Sequence, residues 1–266
     1  MRACILAAGI GQRLRPLTDD KPKALVEVDG KSFLDRLIAQ LAAVGVRELI
    51  VATGYRQDAV ERALERCPIP WKLRRNDRFD TTQNSVSLHA CADALLEGGA
   101  QDVFKLDGDV IVDVEVFRRL MQKQHATGAH LVAAIDPHVA PGSSPLGAEE
   151  MKVTLSKGPD GAGGRDDDRI TAFGKHLDPR ASAGESIGVE LISAAGLCPI
   201  LDALGALVTQ GVTNLYYEDV YDRLLPSRGG SLDARAVDVG DLPWTEVDTA
   251  EDLARAAMIA RRTRAY

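Results

Sequence analysis

The sequence predicts an α/β fold with a doubly wound, mostly parallel sheet, because short apolar runs alternate with helical segments along the first half of the chain. The strand-like runs cover 2–8, 48–53, 71–75, 103–106 and 129–135, and the helical segments cover 31–44, 58–66, 84–96 and 115–125. At the first helical segment, Ser32 with Asp35 three residues later is typical of a helix N-terminus. Ligands of such a sheet bind at the carboxyl ends of its strands.

The second half of the chain departs from this alternation. Residues 137–147 are rich in Pro, Gly and Ser and predict a surface loop. The strand-like segments 151–156 and 169–175, joined by a Gly- and Asp-rich turn, predict a β-hairpin that extends a Rossmann-like sheet. Helices over 199–209, 214–225 and 250–264 and a strand over 234–239 complete the prediction. Since no long linker divides the chain, we expect one domain over 1–266.

The composition argues against several classes of partner. The chain has 266 residues and a formal net charge of -7, which disfavours a nucleic-acid backbone. It contains no run of roughly 20 apolar residues, so we expect a cytoplasmic protein with no membrane partner. The four cysteines are scattered without a C-x-x-C pair and give no sign of a metal site. A polyphosphate ligand would therefore require positive charge concentrated in one place.

Such a concentration follows the first strand. The strand runs into a loop over 6–18 that contains Gly9 and Gly11, and glycines allow a backbone to approach phosphates closely. Four bases lie within or just after this loop: Arg13, Arg15, Lys21 and Lys23. The loop is neither a Walker loop nor a G-x-G-x-x-G fingerprint. The combination of small residues and bases favours phosphate binding over an ordinary surface turn.

The stretch from Leu6 to Val28 resembles the signature of the nucleotidyltransferases that activate sugar phosphates and related alcohols. The resemblance implies that Arg13 grips the triphosphate and that Lys23 stabilises charge around the α-phosphate during catalysis. It also implies a nucleotide-binding half over 1–136 and an acceptor-binding half over 137–266. The nucleotide-binding residues that it implies in this stretch are Leu6, Ala7, Ala8, Gly9 and Gly11.

Two acidic segments favour Mg²⁺ as cofactor. Asp107 and Asp109 follow a short buried strand, and hard carboxylate oxygens suit Mg²⁺. The resemblance implies that Asp109 is a metal ligand with Asp107 beside the nucleotide, and that Asp248 is a second ligand. Glu246 is a further candidate. In an alternative interpretation, Thr249 caps the last helix and Asp248 only assists that cap.

The segment 76–88 resembles an Asn-x-x-Ser-Leu element of the phosphocholine cytidylyltransferase branch, which binds cytosine. The resemblance implies that Gln83, Asn84 and Ser85 contact the base and that CTP is the nucleotide partner. Alternatively, Asn84 or Ser85 only caps the following helix. The segments 184–191 and 214–220 resemble the same branch.

The acceptor is predicted less directly. Tyr216, Tyr217, Glu218 and Asp219, with Trp244 later, could form an aromatic and acidic pocket for an amine, although a helix start with buried aromatics would need the same residues. Lys175 would contact the acceptor phosphate or be a solvated lysine. The predicted acceptor-binding set is Lys175, Glu190, Tyr216, Glu218 and Trp244.

We therefore expect a Mg²⁺-dependent cytidylyltransferase that transfers CMP from CTP to a small phosphorylated alcohol such as phosphocholine. Its main alternative is a sugar-1-phosphate nucleotidyltransferase that uses UTP, dTTP or GTP. A catalytically silent nucleotide-sensing module is the alternative from another class, and it predicts loss of Arg13, Lys23 or Asp109, which are all present. The sequence leaves the oligomeric state open, a homo-oligomer included.

Overall fold

The computed structural model describes residues 1–138, 146–156 and 168–263. Its central sheet has nine strands in these ranges, and all but two run in one direction, which confirms the mostly parallel α/β prediction. The strands of this sheet are β1 (Arg2–Ala7), β4 (Glu48–Thr53), β5 (Trp71–Arg75), β6 (Val103–Asp107), β8 (Leu131–Asp136), β9 (Lys152–Leu155), β10 (Ile170–Gly174), β11 (Gly184–Ile192) and β12 (Ala234–Asp238). Two small hairpin-like sheets pair β2 (Glu27–Val28) with β3 (Lys31–Ser32) and β7 (Val110–Val112) with β13 (Trp244–Glu246).

Helices cover both faces of the central sheet, as a doubly wound fold requires. They are α1 (Phe33–Ala43), α2 (Gln57–Leu64), α3 (Asn84–Ala90), α4 (Ala92–Leu96), α5 (Val114–Thr127), α6 (Ala194–Thr209), α7 (Tyr217–Leu224) and α8 (Ala250–Ala260). Alternate residues of β1 point to opposite cores: Ile5 joins the core under α1 and α5, and Cys4 joins the core under α3, α6 and α7. No helix within the described ranges is both long and apolar enough to cross a membrane.

The strand order β5–β4–β1–β6 creates a switch point between β1 and β6, where chain connections leave in opposite directions. The register places Leu6 of β1 beside Asp107 of β6. The predicted phosphate loop and the predicted acidic segment therefore emerge side by side at the carboxyl edge of the sheet.

The long strand β11 is absent from the sequence prediction, and it joins the two halves of the fold. Its second half pairs antiparallel with β6, whereas its start pairs with β9, and β8 runs along its other edge. The register shifts between Ser186 and Glu190, around Gly188 with its left-handed φ of 74°. The predicted hairpin of β9 and β10 is confirmed and extends the sheet beyond this shift.

Several predicted boundaries are wrong for local reasons. The predicted helix over 84–96 is two helices, because Cys91 N bonds to Leu88 O in a tighter turn between α3 and α4. The helix predicted from Pro199 begins at Ala194, where Ser193 accepts a capping bond from Gly196 N. The short strands β7 and β13 were not predicted. Most of the predicted loop over 137–147 and the turn over 157–167 lie outside the described residues.

Candidate active site

The loop after β1 forms one wall of the site. Gly11 has a left-handed backbone with φ 68°, and a Cβ atom there would lie 3.0 Å from Lys23 Cβ, so glycine is required. Thr18 Oγ1 donates to the Gly11 carbonyl at 2.8 Å and folds the loop back on itself. Gly9 is exposed with open space around it, so the backbone here is accessible to a ligand. The other predicted nucleotide-binding residues of this stretch end or follow β1: Leu6, Ala7 and Ala8.

Lys23 connects this loop to two carboxylates from distant parts of the chain. Its Nζ lies 2.6 Å from Asp109 Oδ2 and 2.5 Å from Asp248 Oδ1. Arg13 Nη2 lies 2.8 Å from the second oxygen of Asp248. Burial alone would lower the pKa of Lys23, but the charges of Asp109 and Asp248 outweigh it and raise that pKa, so the ammonium stays protonated. The structure thus brings together the four residues predicted for catalysis and metal binding.

Asp248 faces Lys23 because other residues cap the last helix. The Thr249 side chain accepts from Asp252 N, and the Asp252 carboxylate accepts from Thr249 N at 2.8 Å. Val247 N donates to the Asp109 carbonyl at 3.2 Å and fixes the two acidic segments side by side. Thr249 is therefore the cap, as the alternative interpretation held, but the Asp248 carboxylate contacts Lys23 and Arg13 instead of assisting it.

Three carboxylates converge at this point with a geometry that suits a divalent cation. Oxygen atoms of Asp109, Glu246 and Asp248 lie within 4.8 Å of one another. Asp109 Oδ1 is buried and has no hydrogen-bond partner among the described residues. Loss of hydration and the charges of Asp109 and Asp248 raise the pKa of Glu246 to about 9. Hard oxygens with excess negative charge and one unsatisfied oxygen fit Mg²⁺.

The carboxylate cluster opens into a polar cavity of about 440 Å³. Two predicted acceptor-binding residues, Lys175 and Trp244, line it. Trp244 Nε1 donates to Asp136 Oδ2 at 2.7 Å, and His138 Nε2 lies 2.7 Å from Glu185 Oε2. A larger cavity of about 590 Å³ lies beside α5 and β12, but no predicted site residue lines it. We therefore assign the chemistry to the smaller cavity.

Behind Asp107 lies a buried charged cluster that the sequence does not predict. The fully buried Lys105 has its Nζ 2.9 Å from Glu190 Oε2 and 3.3 Å from Asp107 Oδ1. This ammonium also lies 3.2 Å from the centroid of the Tyr217 ring, and the Tyr217 hydroxyl donates to Asp107 Oδ2 at 2.8 Å. The Asp107 carboxylate is therefore held through both oxygens at the carboxyl end of β6.

This cluster contains more acid than base. Asp107, Glu190 and Glu218 surround the single ammonium of Lys105, and the buried Glu218 Oε2 has no hydrogen-bond partner in the described part of the chain. Burial, reinforced by the neighbouring carboxylates, raises the pKa of Glu190 and raises that of Glu218 to about 8. At neutral pH the cluster therefore retains protons that free carboxyl groups would lose.

The predicted nucleotide-binding residues of α3 are tied to the segment that precedes α7. Asn84 Oδ1 accepts from Tyr217 N at 3.1 Å, and Ser85 Oγ donates to the Leu215 carbonyl at 2.6 Å. Gln83 N donates to the Thr213 carbonyl at 2.9 Å. The interpretation of Asn84 or Ser85 as a helix cap is wrong, because Gln83 occupies the cap position without a side-chain bond. Through Tyr217, this helix start is connected to Asp107.

The predicted aromatic and acidic pocket does not form as one pocket. Tyr217 and Glu218 are buried in the core below α3 and α6, whereas Trp244 packs against the opposite core. The cation that Tyr217 attracts is the chain's own Lys105. The predicted acceptor residues Glu190 and Glu218 therefore lie inside the buried cluster. Tyr216 stays partly exposed, with Lys175 Nζ 4.6 Å above its ring.

The sequence misses four residues that shape the site. Lys105 lies inside an apolar strand, and lysine is rarely buried unless it is paired with an acid. This unusual position was the only feature of the sequence that could have indicated a role for Lys105. No motif marks Asp136 or His138, and the family resemblance over 184–191 gives Glu185 no role. The three residues meet because β8 pairs with β11.

A comparison with known protein families matches most of the sheet together with the loop after β1. The model of the MobA-like NTP transferase domain matches residues 3–187, which include the phosphate loop and both residues of the Asp107–Asp109 segment. The chain belongs to the MobA-like NTP transferase family. The match ends before Asp248, so the C-terminal part of the site lies outside the family model.

The curated relatives of this MobA-like chain include nucleotidyltransferases. CMP-5'-(3-aminopropyl)phosphonate synthase of Streptomyces rubellomurinus is 29% identical over 255 residues, covering 95% of this chain and 37% of that protein. Choline-phosphate cytidylyltransferase of Streptococcus pneumoniae is 32% identical over 118 residues, covering 44% of this chain and 48% of that protein. Other relatives are uridylyl- and guanylyltransferases of sugar phosphates. The chain spans less than half the length of these first curated relatives.

A solved structure confirms the fold of the MobA-like chain. The inositol-1-phosphate CTP transferase from T. maritima superimposes with a TM-score of 0.75. The match covers 98% of this chain and 95% of that chain at 19% sequence identity. At this identity the likeness establishes the architecture of the sheet and its helices.

Proposed function

We propose that the chain is a Mg²⁺-dependent cytidylyltransferase that transfers CMP from CTP to a small phosphorylated alcohol such as phosphocholine and releases pyrophosphate. The contact of Lys23 with both Asp109 and Asp248, beside Arg13 and the glycine loop, carries this proposal. This contact supports the proposal because two cations, two carboxylates that could bind a metal ion and the glycine loop lie close together. Two curated relatives named as a cytidylyltransferase and a CMP-phosphonate synthase support CTP as the nucleotide.

In the proposed reaction, an oxygen of the acceptor phosphate forms a bond to the α-phosphorus of CTP. The bond from that phosphorus to the oxygen bridging to the β-phosphate breaks, and pyrophosphate leaves. The acceptor phosphate is already ionised near neutral pH, so no general base is needed. Arg13 binds the triphosphate and Lys23 neutralises charge at the α-phosphate, which are the contributions that phosphoryl transfer demands of a protein.

The metal would be held by Asp109 and Asp248, with Glu246 beside them. Mg²⁺ bound there supplies positive charge against the phosphate oxygens. Metal binding requires ionised carboxylates, so it would favour the ionised form of Glu246. The role of this cluster before nucleotide binds is to keep Lys23 in place between the two ligands.

The nucleoside is proposed to lie between the loop after β1 and the start of α3. The backbone from Leu6 to Gly11 would hold the phosphates and ribose, and Gln83, Asn84, Ser85 and Asp107 would border the base and sugar. On the acceptor side, Lys175, Tyr216 and Trp244 are proposed to contact the acceptor. Because Glu190 and Glu218 are buried around Lys105, we propose that they support Asp107 instead.

The main alternative is a sugar-1-phosphate nucleotidyltransferase that uses UTP, dTTP or GTP, and the sugar-phosphate relatives support it. A silent nucleotide-sensing module is less compatible with the structure, since Arg13, Lys23 and Asp248 are in direct contact. A catalytic role would explain why Arg13 and Lys23 are held against carboxylates that could also bind a metal ion.

Pyrophosphate release tests the proposal. The purified protein is mixed with Mg²⁺ and each of the four common NTPs, against phosphocholine, phosphoethanolamine, inositol phosphate and glucose 1-phosphate. We expect release with CTP and a small phosphorylated alcohol. Lys23→Ala and Asp109→Ala should abolish it, and Arg62→Ala, an exposed base on α2, should leave it intact. Release only with a sugar phosphate and another NTP would establish the alternative enzyme. Silence throughout, with NTP binding retained, would favour the sensing module.

A further inference from the structure

The cavity beside the Lys23 cluster carries more acid than its bases can balance. Seven carboxylic side chains line it against four basic ones, Arg13, His138, Lys175 and Arg255. Each of these bases already lies within 3.8 Å of a lining carboxylate. The acids left over are Asp136, Glu150 and Glu246. A ligand that brings positive charge would therefore be stabilised here.

Asp136 is the most buried of this group. It is 9% exposed, and its carboxylate accepts from Trp244 Nε1 at 2.7 Å and from the backbone N–H of His138 at 2.8 Å. Both donors are neutral, and no lysine or arginine of the described ranges forms an ion pair with Asp136. A carboxylate that has lost most of its hydration without gaining a counter-ion is unfavourable until a cation arrives.

Trp244 links this carboxylate to the strand that carries Glu246. Trp244 and Glu246 alternate with Thr245 on β13, so their side chains lie on the same face of the strand, about 7 Å apart along it. Glu246 belongs to the carboxylate cluster that fits a metal, and Trp244 bonds to Asp136. An acceptor with its phosphate at the cluster and a short carbon linker would bring its other end to Trp244 and Asp136.

Glu185 adds a second carboxylate on the same wall. It lies beside β8, because Glu185 of β11 pairs with Asp136 in the sheet. Its Oε2 lies 2.7 Å from His138 Nε2. An aromatic ring next to two carboxylates is the arrangement that binds ammonium and quaternary ammonium groups, through the ring face and through charge.

We propose that Asp136, Glu185 and Trp244 form a head-group subsite that selects acceptors with a positively charged amine or quaternary ammonium. The proposal rests on the proposed function, since it concerns the acceptor of the same reaction. A sugar hydroxyl could also donate to these carboxylates, but a neutral acceptor leaves the charge of Asp136 without a counter-ion. Discrimination by charge is therefore the property that separates this subsite from a sugar pocket.

The test compares acceptors of the same shape that differ in charge. Phosphocholine is compared with 3,3-dimethylbutyl phosphate, in which a carbon atom replaces the nitrogen, and phosphoethanolamine and glycerol 3-phosphate form a second pair. For each we would measure kcat/KM for pyrophosphate release with CTP. The wild-type enzyme should favour the charged member of at least one pair by a hundredfold or more. The reason is that the buried Asp136 carboxylate and the Trp244 ring would both attract the cationic head group.

Two neutralising variants then locate the effect. Asp136→Asn keeps the acceptor oxygen for Trp244 and removes the charge, and it should reduce the preference for the charged acceptor at least tenfold. Glu185→Gln should also reduce the preference for the charged acceptor. This variant provides an independent test if Asp136→Asn folds poorly. Asp202→Asn, an exposed position on α6, is the matched control and should leave the preference unchanged.

Each outcome decides a separate question. The subsite would be overturned if the enzyme turns over CTP but the ratio of kcat/KM between charged and neutral acceptors is near one in both pairs. Equal losses of kcat/KM for charged and neutral acceptors in Asp136→Asn would also overturn it. The absence of turnover with every acceptor would sink the proposed function instead. In that case calorimetry with the same acceptors, in the presence of a non-hydrolysable CTP analogue, decides the subsite: binding at least tenfold tighter for phosphocholine than for its neutral counterpart supports it, and equal binding excludes it.

Discussion

Lys105 Nζ lies 3.2 Å from the centroid of the Tyr217 ring, inside a shell of three carboxylic side chains. A ring and carboxylates around an ammonium are the usual surroundings of a bound cationic ligand. Here the cation belongs to the protein and comes from the middle of β6. The arrangement fixes Asp107 at the edge of the sheet, because Lys105 and the Tyr217 hydroxyl each bind one of its oxygens.

Removal of the Lys105 charge should destabilise the fold strongly. Lys105→Met would leave Glu190 and Asp107 buried without their counter-ion, and we expect a loss of about 3–5 kcal/mol in the free energy of unfolding at pH 8. Tyr217→Phe loses one hydrogen bond but keeps the ring, so it should cost about 1 kcal/mol. Urea unfolding followed by circular dichroism measures both. Equal stability of the two variants would contradict the role assigned to the ammonium.

The buried Glu218 should make stability fall as the pH rises. Its pKa of about 8 exceeds the value of about 4.3 for an unfolded chain, so between these pH values the folded state holds a proton that the unfolded state releases. The stability that this proton supports is complete below about pH 4.3 and is lost as the pH rises through 8. Glu218→Gln cannot ionise, and at pH 9 it should be more stable than the wild type by more than about 1 kcal/mol.

The comparison for Glu218 is made by urea unfolding at pH 5, 7 and 9. The advantage of Glu218→Gln over the wild type should grow with pH. Glu61→Gln, at an exposed position on α2, should show no such trend. An advantage that stays constant from pH 5 to 9 would mean that Glu218 is ionised throughout.

Two arginines of the phosphate loop should differ sharply in their effect on catalysis. Arg13 contacts Asp248 at the carboxylate cluster, whereas Arg15 lies 3.5 Å from Asp19, which is not part of that cluster. Arg13→Ala should lower kcat/KM for pyrophosphate release by about a hundred- to a thousandfold, because a fixed charge at the phosphates is lost. Arg15→Ala should change it less than about threefold. Similar losses in the two variants would show that the loop acts through its overall charge.

Lys23 should compete with a metal ion for the carboxylates. Its ammonium lies between Asp109 and Asp248, so in the absence of nucleotide it occupies the position that a metal cation would take. Lys23→Ala should bind Mn²⁺ about tenfold more tightly than the wild type without nucleotide, as judged by electron paramagnetic resonance of free Mn²⁺. Asp109→Asn should bind it more weakly. A weaker affinity in Lys23→Ala would show that Lys23 orders the site for the metal.

The phosphate loop and the acidic residues were predictable because their positions follow from chain order alone. Leu6 and Asp107 end neighbouring parallel strands, and the loop and carboxylates emerge where such strands end. Asp248 was found only through the family resemblance, since nothing local shows that the start of α8 would return to Lys23. That return depends on the pairing of β13 with β7, two strands of three residues that carry almost no sequence signal.

The residues predicted to bind the acceptor were located less accurately, because their positions depend on contacts between distant segments. The sequence predicts Tyr217 and Trp244 in one pocket, but they pack against different hydrophobic cores. The strand β11 escaped prediction because its Ser, Gly and Glu residues interrupt the apolar alternation. Lys105 and Glu190 lie directly opposite each other on β6 and β11, and that pairing cannot be read from either segment alone.

The shift of β11 at Gly188 divides the predicted site into two parts within one sheet. Beyond that glycine, β11 pairs with β9 at Gly184 and Glu185. The strands that carry the predicted phosphate loop and Asp109 lie on the other side of the shift. Changes at Glu185, or at Lys175 after the hairpin, would therefore alter the proposed acceptor side while the pairing of β1 with β6 stays the same. A relative that acts on a different acceptor can share this sheet and still differ in the residues beyond Gly188.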